Sequence, residues 1–233
     1  MRPIDSFRNG GTPPKVSFNT KPKVPLSGSI KIILLTGLVA SGKSTFALEL
    51  KKKGFEIIDA DFVTNTLYQE KAEIFRQVTQ AFAGHDILTD GKIDKKKLGN
   101  IVFSDANLFK SLTDIMYPAD KERIEQMIRE LSFRGKKMVV VMAANGYEAG
   151  LGKISDEVWI VDTPRRIALP AFLNRSASNS VDRFERIRRF QTPRSRLLKI
   201  ANRVFRNNRE VEMFSLWADQ LAEEYKPLLT QPE

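Results

Sequence analysis

Between Gly37 and Thr45 the chain sets Gly37, Gly42, Lys43 and Ser44 at the spacing G-x-x-x-x-G-K-[ST]. Glycines free the backbone for turns that a Cβ would block. Consecutive N–H groups can then converge on phosphate oxygens, helped by the positive end of a following helix. In such a loop the lysine reaches the β- and γ-phosphates, and the serine hydroxyl ligates magnesium. The pattern therefore predicts that Gly37, Ala40, Ser41, Gly42, Lys43, Ser44 and Thr45 bind ATP, with Ser44 as a ligand to Mg2+. The alternative, a chance glycine turn capping a helix, does not explain why lysine and serine stand at the required positions.

Such a loop identifies nucleotide binding without separating a kinase from an ATPase or a GTPase. An Asn-Lys-x-Asp stretch of the kind that reads guanine is missing. The next groups able to act are Asp59 and Asp61, which close the apolar run 55–58. In an open parallel sheet, ligands bind beyond the carboxyl ends of the strands. With this run read as the strand next to the one before the glycine loop, a carboxylate here meets the γ-phosphate. It can take the proton of an attacking hydroxyl. Alternation along the strand sends the two side chains in different directions, so the base is assigned to Asp61 and a supporting role to Asp59. The alternative is that both cap the next helix.

The elements around these residues alternate. Residues 31–35 form a short apolar run that reads as a buried parallel strand. A helix opens at Gly42–Thr45 and ends at Gly54, and a second strand covers 55–58. Helical patterns follow over 62–82, 94–103 and 105–116, with Ser104 as cap of the last, and a polar turn at 84–91 between the first two. Pro118 restarts a helix to about Leu131. Strands are expected at 137–142 and 157–161. Thr163 and Pro164 then read as an N-cap and first helical residue. Arginine-rich helices break near 176–180 and 192–193, Val204 and Phe205 suggest a last strand, and Val211, Phe214, Ala218, Leu221 and Tyr225 mark a closing helix. This is an α/β fold, a three-layer parallel sheet.

With 233 residues, 42% of them hydrophobic, the chain supports one sizeable core. Residues Met1–Ser29, rich in glycine and proline, read as a flexible tail, leaving 30–233 as the domain. There is no cysteine and a single histidine, His85. Thiolate and multi-histidine metal sites are thereby excluded. Chemistry is left to carboxylates, lysine, arginine, backbone amides and a bound metal. A formal net charge of +10 favours anionic partners. Arginine predominates from Arg165 to Arg209, and its planar fork suits bidentate phosphate contacts. A merely solvated helical face is the alternative. No apolar run reaches the length of a membrane span, and the lack of cysteine points to a reducing, cytoplasmic compartment.

Together these residues resemble the dephospho-coenzyme A kinases, from about Ile30 to Tyr225. The resemblance is carried by Leu35 to Thr45; by Ile58 to Asp61; by Asp90 to Asp94 with Leu98 and Ile101 to Phe103; by Pro118; by Glu148 to Leu151; by Val161 and Pro164; and by Arg175, Gln191, Arg194, Ala201, Val204, Asn207 and Asn208. It implies a P-loop kinase core with a helical acceptor-binding insertion (62–117) and an arginine-bearing helical lid (165–195). It also implies transfer of the ATP γ-phosphate to the ribose 3′-hydroxyl of dephospho-coenzyme A, with magnesium. On this resemblance Asp61 is the general base. Lys43 and Arg175 stabilise the transferring phosphates. Arg194, Asn207 and Asn208 hold ATP, and Asp59, Lys95, Tyr117 and Glu148 face the acceptor.

The chain departs from the family at several positions. Tyr117 stands for a histidine, Lys95 for an arginine, and Ala144, Asn145 and Gly146 for a Pro-Leu-Leu segment; Pro170 or Ala171 falls where another lid arginine is expected, and Asn202 where an aspartate is. Most of these lie on the acceptor and lid side. Two other functions therefore stay open at this point: a kinase for a different small-molecule hydroxyl, and a nucleotide-binding protein with little turnover. The expected partners are ATP and dephospho-coenzyme A, without membrane or nucleic acid, in a monomer or weak homo-oligomer.

Overall fold

The computed structural model describes residues 30–208 and 211–229, together with the backbone of Ser17–Phe18. Expectations for the rest of the first 29 residues, and for Arg209, lie outside the described residues. In chain order the elements are β1 (Ser17–Phe18), β2 (Lys31–Thr36), α1 (Lys43–Lys52), β3 (Glu56–Asp59), α2 (Ala60–Glu70), α3 (Ala72–Ala81), β4 (Leu88–Thr89), β5 (Lys92–Ile93), α4 (Lys95–Val102) and α5 (Ala106–Phe133). They continue with β6 (Met138–Met142), β7 (Glu157–Asp162), α6 (Arg165–Leu173), α7 (Val181–Arg189), α8 (Arg194–Ile200), β8 (Arg203–Arg206), α9 (Val211–Glu224) and α10 (Lys226–Leu229).

The main sheet runs β1-β8-β7-β2-β6-β3, parallel throughout except for β1, which pairs antiparallel with β8. Ordered structure was expected to begin at Lys31, so the pairing of Ser17–Phe18 with Val204 and Arg203 is an addition. A second difference bears on function. The sequence reading sets the first two long strands side by side, yet β6 lies between β2 and β3. Burial explains the order. The five residues of β6 are all buried, as an apolar run covered on both faces must be, whereas β3 is only partly buried and takes the edge.

Side chains alternate across the sheet and build a core on each face. Leu34, Val139, Val141, Val158 and Ile160 pack with α2–α5 and α8. Ile33, Leu35, Val140, Trp159 and Phe205 pack with Phe46 and Leu50 of α1 and with Phe214, Trp217 and Leu221 of α9. The result is three layers. A smaller cluster, Phe172 of α6 and Phe184 of α7 with Ala168, rests on Ala40 of the glycine loop.

Several local expectations are corrected. The helix expected over 62–82 is two, broken at the extended residue Lys71. The cap of α5 is Asp105, whose carboxylate accepts from the N–H groups of Asn107 and Leu108, while Ser104 Oγ donates back to Ile101 O at 2.7 Å. Pro118 does not restart a helix but sits within α5. It lies on the exposed face, where water can satisfy the carbonyl one turn earlier. Within the polar turn 84–91, Asp90 and Gly91 both have positive φ (50° and 73°) and close the β4–β5 hairpin. Thr163 does not cap α6; Pro164 is its N-cap residue, and Thr163 Oγ1 donates to Ser41 O at 2.6 Å.

Candidate active site

The loop between β2 and α1 is held open from behind. Gly37 (φ 150°) backs onto β7 so closely that a Cβ would lie 2.4 Å from Val161 O. Ala40 and Gly42 take left-handed conformations, φ 57° and 97°. Lys43 Nζ donates to Gly37 O at 2.8 Å and to Leu38 O at 3.0 Å. Ser41 O accepts from Thr163 Oγ1 and, at 2.9 Å, from Asn207 Nδ2. With these carbonyls engaged, α1 begins without a side-chain cap, and its first N–H groups stay free for an anion.

Burial pulls the Lys43 ammonium down to about 8, with Asp61 opposing and Arg175 reinforcing the shift. A phosphate beside it would restore its charge. Ser44 and Thr45 are exposed in the first turn. Among the described residues no cluster of three or more histidine, aspartate and glutamate side chains could hold a metal. The single hydroxyl of Ser44 suits Mg2+, which keeps waters and takes its other ligands from phosphates. Beside the loop a cleft of about 400 Å³ is lined by Ala40, Gly42, Thr45, Arg175, Asn207 and Phe214, among others.

A second cavity, also about 400 Å³, opens between α2, α4, α5 and the turn after β6. Leu98, Val102, Phe103, Phe109, Met116 and Leu151 give it apolar walls; its polar groups include Asp61, Thr64, Tyr68, Lys95, Thr113, Tyr117, Asp120 and Asn145. Asp61 lies in the first turn of α2, and burial, followed by the nearby Asp59, pushes its carboxyl up, against the pull of Lys43 and Lys95. Lys95 Nζ donates to Asp61 O at 3.1 Å. Its ammonium is lowered by burial despite Asp61, Asp59 and Asp120. Asp61 thus interacts with the loop lysine on one side and with the cavity lysine on the other. A carboxylate of raised basicity lies between the phosphate loop and the second cavity, an arrangement able to perform phosphoryl transfer.

The remaining sequence candidates divide. Asp59 uses its carboxylate to cap α2, accepting from Asp61 N at 2.9 Å and Phe62 N at 3.4 Å, and does not line the cavity. Tyr117 does line it. Its phenol is pushed up to about 12 by burial and by the Glu148 carboxylate, with Asn145 pulling the other way, and its buried Oη meets no partner at hydrogen-bond geometry. Glu148 accepts from Thr192 N and so anchors the break before α8. Arg194 clasps Asp162 through Nε and Nη2 at 2.7 and 2.6 Å. Neither Arg194 nor the exposed Asn208 lines the cleft beside the loop.

Two polar residues of the site were not among the candidates. Gln191 is buried, accepts from Val39 N at 2.8 Å and donates toward Ala144 O and Asn145 Oδ1, both at 3.4 Å, joining the phosphate loop to the wall of the second cavity. Its signal was a glutamine beside the helix-breaking Thr192 and Pro193. Asp120 lies inside α5, where burial raises its carboxyl to about 7, Thr64 lowers it and Asp61 raises it. A lone acid within a charged helix gave no sequence signal.

The model of the CoaE family, dephospho-CoA kinase, matches residues 31–212 of this chain. A dephospho-CoA kinase of Carboxydothermus hydrogenoformans is 32% identical over 183 residues, covering 78% of this chain and 88% of that protein. One from Dehalococcoides mccartyi is also 32% identical, over 84% and 98% of the two chains. Among solved structures, TT1252 from Thermus thermophilus superimposes with a TM-score of 0.68 at 23% identity, over 84% of this chain and 98% of that one. The dephospho-CoA kinase from Campylobacter jejuni does so at 0.60 and 24%, over 84% and 97%. At these identities the superpositions speak to the fold.

Proposed function

Since this chain belongs to the dephospho-CoA kinase family, we propose that it transfers the terminal phosphate of ATP to the ribose 3′-hydroxyl of dephospho-coenzyme A through the residues described above. The supporting observation is the Asp61 carboxylate, which interacts with Lys43 of the phosphate loop while lining the neighbouring cavity. The loop N–H groups and Lys43 hold the β- and γ-phosphates, and Arg175 meets them from the end of α6. Ser44 would ligate Mg2+, which would supply neutralisation of the phosphate charge. Asp61 takes the proton from the 3′-hydroxyl as its oxygen attacks the γ-phosphorus. Its raised basicity favours that step. Asn207 lines the ATP cleft, and Tyr117 Oη, beside Asn145, donates to the acceptor. Lys95 holds Asp61 through its backbone and offsets its charge. Glu148 acts indirectly, through Thr192.

In this reading residues 62–117 form the acceptor side and residues 165–195 the arginine-rich lid, and the enzyme works in the cytoplasm as a monomer or weak homo-oligomer. Among the described residues no helix is long and apolar enough to cross a membrane. A coupled assay of the purified protein with ATP and dephospho-coenzyme A tests the reading. ADP release that depends on the acceptor, with a product phosphorylated at the 3′ position, is expected. ATP binding without acceptor-dependent turnover would overturn it.

A further inference from the structure

Asp120 is 8% exposed and lines the acceptor cavity. Its Oδ1 accepts from Thr64 Oγ1 at 2.9 Å. Ala60 O stands 3.0 Å from the same hydroxyl, so the single Thr64 proton is shared between the two acceptors. Among the described residues Oδ2 has no hydrogen-bond partner. A carboxylate oxygen left unused on a residue that lines a cavity with largely apolar walls is placed to accept from a donor that enters the cavity.

The position of that oxygen says which donor. Asp61 and Thr64 are three residues apart on α2, hence on one face and one turn apart, and both line the cavity. Asp120, tied to Thr64, therefore lies beside the point where a hydroxyl poised at Asp61 must sit. On a ribose, the nearest neighbour of the 3′-hydroxyl is the 2′-hydroxyl.

We propose that Asp120 is a specificity residue that accepts a hydrogen bond through Oδ2 from the 2′-hydroxyl of the acceptor ribose and so presents the adjacent 3′-oxygen to Asp61. This rests on the reading of the acceptor given above. A purely architectural role, pinning α2 to α5 through Thr64, uses one oxygen only and predicts no sensitivity to the 2′ substituent. The same cavity edge carries Lys95, whose charge offsets part of the effect of burial on Asp120.

The experiment compares dephospho-coenzyme A with its 2′-deoxyribose analogue, which keeps the 3′-hydroxyl, in the wild type and in Asp120→Ala, Asp120→Asn and Thr64→Val. The wild type should disfavour the deoxy analogue by about 10- to 100-fold in kcat/KM. Asp120→Ala should lose activity on the natural acceptor by a similar factor and treat the two acceptors alike within about 2-fold, the signature of a coupled pair. Asp120→Asn, which keeps a hydrogen-bonding head, should restore part of the discrimination. Thr64→Val, which frees Asp120 to turn, should fall between. The KM for ATP should stay constant across the set and report an intact fold. Equal use of both acceptors by the wild type, or undiminished discrimination in Asp120→Ala, removes the proposal and leaves the kinase reading standing. Absence of turnover with dephospho-coenzyme A removes both.

Discussion

The two ends of the parallel sheet treat buried charge in opposite ways. At the end where the strands begin, Lys31, Glu157 and Arg203 are each no more than 3% exposed. Lys31 Nζ meets Glu157 Oε1 at 2.9 Å, Tyr225 Oη and Trp159 Nε1 donate to the same carboxylate, and Arg203 bridges Glu157, Glu224 and Tyr225. At the end where the strands finish, Lys43 and Asp120 are buried while Asp61 and Lys95 are exposed, and among the described residues neither Asp61 nor Asp120 is held in a salt bridge. The carboxyl groups show the difference. Burial pushes all of them up, yet at Glu157 the bonds from Trp159, Lys31 and Tyr225 win and hold it below the usual range. At Asp61 and Asp120 burial wins. Charge satisfied by the protein stabilises the fold, and charge left for a substrate to satisfy is available for chemistry.

That contrast can be broken from either end. The largest effect is expected for Asp61→Asn, which should lower kcat by about 10³-fold with ATP affinity retained. Steady-state kinetics alongside nucleotide titration measures both, and undiminished turnover would take Asp61 out of the mechanism. At the opposite end Glu157→Gln should cost about 3–5 kcal/mol of stability, read by denaturant unfolding, with the KM for ATP unchanged in the folded fraction. Lys43→Ala should lower kcat/KM for ATP by about 10²–10³-fold.

The smallest and most discriminating test uses pH. A folded pKa of about 7 at Asp120, above its unfolded value of 3.8, means that the native state binds the proton more tightly. Its stabilising contribution is present at low pH and is lost as pH rises through 7. Asp120→Asn should therefore melt a few degrees above the wild type at pH 8, with the gain shrinking toward pH 4. Lys43, whose folded pKa of about 8 lies below 10.5, has the reverse sign: its charge costs stability below pH 8, so Lys43→Ala should not melt lower at pH 7. A loss of stability in both variants would erase the distinction between the two ends.

The phosphate loop was legible because its chemistry is local: glycines, lysine and serine within one turn of chain. The strand–helix alternation was legible for the same reason. The interposition of β6 was not, because strand order is settled by burial among segments far apart in sequence. Asp120 was hidden likewise, since its meaning comes from Thr64, 56 positions away. Pro118 misled because the rule that proline breaks a helix is relaxed where water replaces the lost partner. Asp105 outcompeted Ser104 as a cap by one residue, a distinction that residue type alone does not make.

Having β6 between β2 and β3 gives the molecule a built-in ruler. Adjacent strands stand about 4.8 Å apart, so the strand feeding the phosphate loop and the strand feeding Asp61 are separated by about twice that distance. In the proposed transfer, phosphorus must fit in the gap together with an oxygen arriving and an oxygen departing along one line. A width fixed by backbone hydrogen bonds keeps that clearance constant whichever side chains are exchanged around it. Side chains lining the second cavity, Tyr117 and Asn145 among them, can be exchanged without altering the separation of β2 and β3.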